Sequence, residues 1–213
     1  THLLRLGLDP GDRVAVLLPD GPGVHAAFVG CEKAGLVVMG IGPRAGRDEI
    51  HHLLQKSGAR ALIARPDHRG TDMRGLVDEF ARELPLERLV PVEGELGDDE
   101  PVLQGADHAA LPASRRLGVE DLFLLNSTSG TTGLPKCVTH HQARWIHFHR
   151  LAVASGELHE GDVFMSVLPA PFGFGLWTAH FTPTLLGAPT VLMENFDAAG
   201  MLERIAAHRV TVL

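Results

Sequence analysis

Residues 13–43 read RVAVLLPDGPGVHAAFVGCEKAGLVVMGIGP, and this stretch decides the fold class. An apolar run over residues 14–18 is closed by Pro19-Asp20-Gly21-Pro22, a turn-forming cluster. Val24, Ala27, Phe28, Cys31 and Ala34 then recur at helical spacing, and Gly35 supplies the stop. A second apolar run covers residues 37–41 and ends at Gly42-Pro43. Two buried-type strands joined through a helix predict a βαβ unit, and that crossover makes the strands parallel.

The same rhythm continues outward. Ile50, Leu53 and Leu54 mark one helix face that ends at Gly58, residues 61–63 form a short strand, and Met73, Leu76, Val77, Phe80 and Leu84 repeat at i, i+3, i+4, i+7 before a strand over 89–92. Residues 93–111 break the pattern; Glu93, Glu95, Asp98, Asp99 and Glu100 crowd there among glycines, which reads as a solvated loop. Beyond it come strands over 122–125 and 135–139, a helix over 141–155 with Trp145, Phe148 and Ala152 on one face, and a strand over 163–167. A helix over 175–186, a strand over 190–193 and a helix capped by Asp197 follow. The expected class is α/β, with mostly parallel sheets flanked by helices. The expected organisation is a first βα subregion (1–92), an acidic loop (93–117) and a second subregion (118–213). Residues 2–6 resemble the tail of a helix and residues 210–213 the start of a strand, so the chain reads as an excerpt of a longer protein.

Composition narrows the function classes. The 213 residues carry 19 Lys and Arg against 26 Asp and Glu, a net charge of −7, which argues against nucleic acid as a partner. With 45% hydrophobic and 21% charged residues the chain is neither disordered nor fibrous. No apolar run reaches the roughly 18 residues that a membrane span needs. Its 2 cysteines do not form a disulfide framework, so a cytoplasmic location is the expectation.

The chemistry concentrates in residues 126–136, Asn-Ser-Thr-Ser-Gly-Thr-Thr-Gly-Leu-Pro-Lys. Glycines let backbone N–H groups turn toward one point, the hydroxyls add donors, and Lys136 adds a full positive charge, a combination suited to polyphosphate. It departs from the Walker pattern, because Lys136 follows Gly133 by three residues and precedes Cys137 rather than Ser or Thr. Pro135 and the Val138-Thr139 pair favour extended chain, so the loop is expected to join two strands without a helix dipole behind it. Other clusters carry less. His140, His141, His147 and His149 lack the Cys pair or His-Glu pattern of a zinc site and read as helix-surface and core-edge residues. His51-His52 reads as helix surface, and Cys137 as a packed thiol. No metal ligands are expected.

Residues 128–136 resemble the phosphate loop of the adenylate-forming superfamily of acyl- and aryl-CoA ligases, luciferases and peptide-synthetase adenylation domains. The resemblance covers nearly the whole chain. Gly11-Asp12-Arg13-Val14-Ala15 is similar to the early βαβ region, and Asp121-Leu122-Phe123 to the lead into the loop. Leu168-Pro169 through Phe174-Gly175-Leu176 is similar to the next signature. Phe172 stands where many members carry a histidine, an arrangement similar to benzoate- and aminobenzoate-type CoA ligases.

The resemblance implies part of the large N-terminal domain of a carboxylate–CoA ligase. Such an enzyme uses ATP, Mg²⁺ and CoA on a small-molecule carboxylic acid, and the benzoate-like signature implies an aromatic one. It implies nucleotide contacts from Ser127, Thr128, Ser129, Gly130, Thr131, Thr132, Gly133 and Lys136, with Lys136 catalytic. It implies an acid pocket walled by Phe172, Phe174 and Gly175. The adenosine contacts, the magnesium-holding Glu and a mobile C-terminal domain would lie beyond Leu213, so the piece alone is expected to be inactive. It leaves open a homodimer, a relative that loads a carrier protein, and a non-catalytic nucleotide-binding module.

Overall fold

β1 (Arg13–Leu17), β2 (Val37–Gly40) and β3 (Ala61–Ala64) are buried along almost their whole length, as strands covered on both faces must be. The computed structural model describes residues 3–93, 112–128 and 133–213; most of the acidic stretch, with Ser129, Gly130, Thr131 and Thr132, lies outside the described residues. α1 (Pro22–Lys33) connects β1 to β2, and α2 (Arg47–Ser57) connects β2 to β3. A small hairpin, β4 (Asp67–His68) and β5 (Thr71–Asp72), then leads into α3 (Met73–Phe80) and β6 (Arg88–Pro91). The hairpin interrupts the simple alternation; its last residue, Asp72, caps α3 by accepting the N–H groups of Arg74 and Gly75 at 3.1 and 3.0 Å.

β7 (Leu122–Ser127) and β8 (Cys137–His141) extend this sheet, so the division between 1–92 and 118–213 does not separate two sheets. The order is β6-β3-β1-β2-β7-β8, parallel throughout except for the β7–β8 pair. Period-2 alternation sorts the strand side chains between two cores. Ala15, Leu17, Met39 and Leu62 face Ile50, Leu53 and Leu54 of α2 and the apolar stripe of α3. Val14, Val16 and Val38 face Val24, Phe28 and Cys31 of α1 on the other side, together with Phe123, Trp145 and Leu176.

The chain continues through α4 (Gln142–Gly156), β9 (Phe164–Met165), a single turn α5 (Gly173–Gly175), a π-helical segment (Leu176–Phe181), α6 (Thr182–Leu186), β10 (Thr190–Val191) and α7 (Ala198–His208). β9 pairs in parallel with β10 and bridges Val212. The strand expected over 163–167 is shorter because the Ser166 hydroxyl turns the chain, bonding both the carbonyl and the N–H of Leu168. The helix expected from 175 starts two residues earlier and contains the π turn. Asp197 caps α7 as expected, accepting the Gly200 N–H at 2.7 Å.

Candidate active site

β1 connects to β2 on one side, while its other neighbour β3 connects away to β6, so the strand order reverses between β1 and β3. In sheets of this kind ligands settle outside the carboxyl ends of the strands near that reversal. Asp20 follows β1 there, and its Oδ1 accepts the Ala170 N–H at 2.6 Å. Burial pushes the Asp20 carboxyl up to about 6, against the bond from Ala170, with the charge of Glu194 adding to the rise. Pro171 lies against Gly40 and the Phe172 ring against Gly42, so close that a Cβ on Gly42 would stand 2.7 Å from the ring. The Ala170–Phe172 segment therefore covers the carboxyl ends of β1 and β2, and Phe172 sits on backbone beyond β2. Gly175 is buried with Pro169's carbonyl oxygen 2.2 Å from where its Cβ would be, so this position needs glycine for the close backbone approach.

β7 ends at the same carboxyl edge. Ser127 pairs with Cys137 across the antiparallel ladder, and the strands continue into a closed loop base. There the Thr128 N–H donates to Lys136 O at 2.9 Å, and the Lys136 N–H donates to Thr128 Oγ1 at 3.3 Å. The expectation of a strand–loop–strand unit holds. Lys136 is exposed and pairs with no carboxylate among the described residues. Ser127 is buried in the strand end, Gly133 takes φ +157°, and Ser129 to Thr132 complete the loop outside the described residues.

A cleft of about 370 Å³ opens beside this base. Asn126 and His140 of the hairpin, Trp145 and Phe148 of α4, and Phe174 and Trp177 of the helical segment wall it. Phe174 is 64% and Phe148 48% exposed; the latter was expected on α4's packed face with Trp145. Asn126 Oδ1 and the indole N–H groups of Trp145 and Trp177 are buried without a hydrogen-bond partner among the described residues. Arg144 donates to His140 Nδ1 at 2.9 Å, which requires that nitrogen to be the acceptor and puts the ring proton on Nε2. Burial, then the charges of Arg144 and His141, pull His140 down to about 4, so it is neutral at pH 7. Of the predicted wall residues, Phe174 lines this cleft, Gly175 lies under the turn behind it, and Phe172 faces Gly42 instead.

Among the described residues no three His, Cys, Asp or Glu side chains converge into a cation cage. His149 is instead buried with its Nδ1 against Thr182 Oγ1 at 2.8 Å. Cys31 and Cys137 are both free thiols; burial raises each, Cys31 to about 12, so neither is a ready nucleophile.

Comparison with known proteins follows the same outline. The profile of AMP-binding enzymes matches residues 1–213. The chain belongs to this family. It is similar to a feruloyl-CoA synthase from an Amycolatopsis species, 33% identical over 99% of this chain and 40% of that protein. It is also 29% identical to a 4-hydroxybenzoate–CoA/benzoate–CoA ligase from Rhodopseudomonas palustris, over 99% of this chain and 39% of the ligase. The chain thus spans about 40% of the length of these relatives. Among solved structures, ATP-bound MatB from Rhodopseudomonas palustris superposes with a TM-score of 0.83 at 21% identity, covering 99% of this chain and 40% of that one, which establishes the shared fold. No helix among the described residues is long and apolar enough to cross a membrane.

Sequence reading missed two residues that shape the site. Asp20 stood only as part of a turn, and His52 only as helix surface, yet each holds a backbone atom of a distant segment. Both partners are main-chain groups, which leave no mark in side-chain patterns.

Proposed function

We propose that this chain supplies the phosphate-gripping and acid-facing walls of an ATP-dependent carboxylate–CoA ligase, with a flat aromatic acid as substrate. In the first step a carboxylate oxygen attacks the α-phosphorus of ATP. The bond to the β-phosphate bridging oxygen breaks, and pyrophosphate leaves with the electron pair. In the second, the sulfur of CoA attacks the acyl carbon and AMP departs, leaving a thioester. AMP is a far better leaving group than oxide, which is why the acid is adenylated first.

The observation that carries this reading is the loop base. Two mutual Thr128–Lys136 hydrogen bonds hold the legs together while the Lys136 ammonium stays exposed at the sheet's carboxyl edge. Charge builds on the departing pyrophosphate, and a fixed cation with surrounding N–H and hydroxyl donors stabilises that charge most where it develops. Ser127 to Gly133 would supply those donors. The aromatic cleft supports the second half of the reading: flat apolar walls with a few unpartnered polar atoms suit an aromatic acid. The feruloyl-CoA synthase and the benzoate-type CoA ligase among its relatives support this reading.

Carboxylate-dependent pyrophosphate exchange in the intact protein tests the proposal. Lys136→Ala is expected to reduce exchange by a barrier increase of about 3–4 kcal/mol, the usual cost of removing one such donor. Unchanged exchange in that variant overturns it. Thioester formation from free CoA, rather than only on a carrier protein, separates this ligase from a carrier-loading relative.

A further inference from the structure

We infer that His52 is a positioning residue for Lys136, a role that rests on the phosphate-loop reading above. His52 lies in the middle of α2, and its Nε2 stands 2.9 Å from the carbonyl oxygen of Pro135. A carbonyl only accepts, so Nε2 carries the proton and donates it. The two polar atoms of the Pro135–Lys136 peptide unit are then both held: the oxygen by His52, and the N–H by Thr128 Oγ1. A peptide unit is planar, so fixing both of its polar ends fixes the plane and with it the direction in which the Lys136 side chain departs. Thr128 belongs to the same hairpin and moves with it, whereas His52 comes from a separate, rigid element. Its neighbours Leu53 and Leu54 are fully buried beneath the sheet, so α2 provides a fixed reference for the loop arm. β8 is already bonded along its length to β7 and does not require this contact to form. Leu134 is more than half exposed across an open groove from His51 and Gln55, so the bond from His52 is the defined contact between arm and helix.

The test uses the intact protein and His52→Ala, His52→Gln and Lys136→Ala in parallel. Gln places an amide donor at a reach close to that of Nε2. His52→Ala is expected to lower kcat/KM for ATP in pyrophosphate exchange roughly tenfold, with the acid's KM within about twofold of wild type. It is also expected to speed hydrogen–deuterium exchange at the Lys136 and Thr128 amides in the absence of nucleotide. His52→Gln should recover both. Wild-type ATP kinetics and amide protection in His52→Ala, or no recovery in His52→Gln, overturn the inference. Wild-type exchange in Lys136→Ala instead overturns the phosphate-loop reading; the amide protection then still decides whether His52 holds the arm.

Discussion

Residues 13–91 and residues 142–191 cohere in different ways. The centre of the first region, β1 to β3, is built of buried strands of four or five residues, and its helices pack through apolar stripes. Its one fully buried polar side chain, Ser57, is satisfied by the Leu53 carbonyl at 2.8 Å; Asp20 and His25 are only partly buried and lie at its border with the second region. The second region has strands of two residues and a π turn, and it buries His149, Thr178, His180 and Thr182. Its contacts are aromatic and imidazole edges: Trp145 touches His140, His149 and Phe181 at centroid distances of 4.5, 5.1 and 5.4 Å. Generic burial makes a frame that tolerates little, while the second region is held by specific polar and aromatic contacts and leaves several polar atoms unpartnered among the described residues.

That contrast is open to experiment, beginning where burial is densest. Leu53→Ala is expected to destabilise the intact protein by about 4 kcal/mol, since a fully buried leucine leaves a cavity that the sheet cannot fill. Urea unfolding measures it, and a loss below about 1 kcal/mol would erase the distinction.

Acid should strike first where the two regions meet, at a pair formed by His25 of α1 and His180 of the π-helical segment. His25 Nδ1 and His180 Nδ1 lie 2.8 Å apart and share one hydrogen, with His149 nearby. Burial lowers His25 to about 4, and burial plus the charges of His25 and His149 lowers His180 to about 3. The unfolded chain therefore binds protons first as pH falls below 6.5, and stability is lost from there down through the folded values. A loss of about 3 kcal/mol between pH 7 and pH 5 is expected from denaturation midpoints. A flat profile would mean that the pair is not held neutral.

Asp20, at the seam between the regions, acts with the opposite sign. Its folded value is raised from 3.8 to about 6, so its contribution is present in acid and lost as pH rises through that window. Asp20→Asn keeps an oxygen for the Ala170 N–H and removes the charge. It should stabilise the protein by about 2 kcal/mol at pH 7, leave pH 4 unchanged, and steepen the histidine-driven acid limb. Equal stability of variant and wild type at pH 7 would show that the carboxylate is not strained there.

The first region was legible because its signals are local. Short apolar runs and 3.6-residue repeats, with Gly35 and Gly58 at the helix ends, place β1 to β3, β6 and their helices to within a few residues. The β4–β5 hairpin escaped because strands of two residues carry no alternation. The π segment escaped because LWTAHF has the same apolar pattern as an ordinary helix. In the candidate site, the strand–loop–strand course around Lys136 was legible from composition. Phe174 lines the cleft, whereas the contact of Phe172 with Gly42 depends on a chain crossing that no local pattern encodes. Asp20 and His52 stayed hidden because their partners are main-chain atoms 150 and 83 residues away.

The antiparallel ribbon under the loop also has an arithmetic consequence. Neighbouring residues in an extended leg project to opposite sides, so Lys136 and Cys137 are alternatives for one orientation. A one-residue slip of β8 along β7 would therefore put the thiol on the ammonium's side and turn every side chain of that leg to the opposite face.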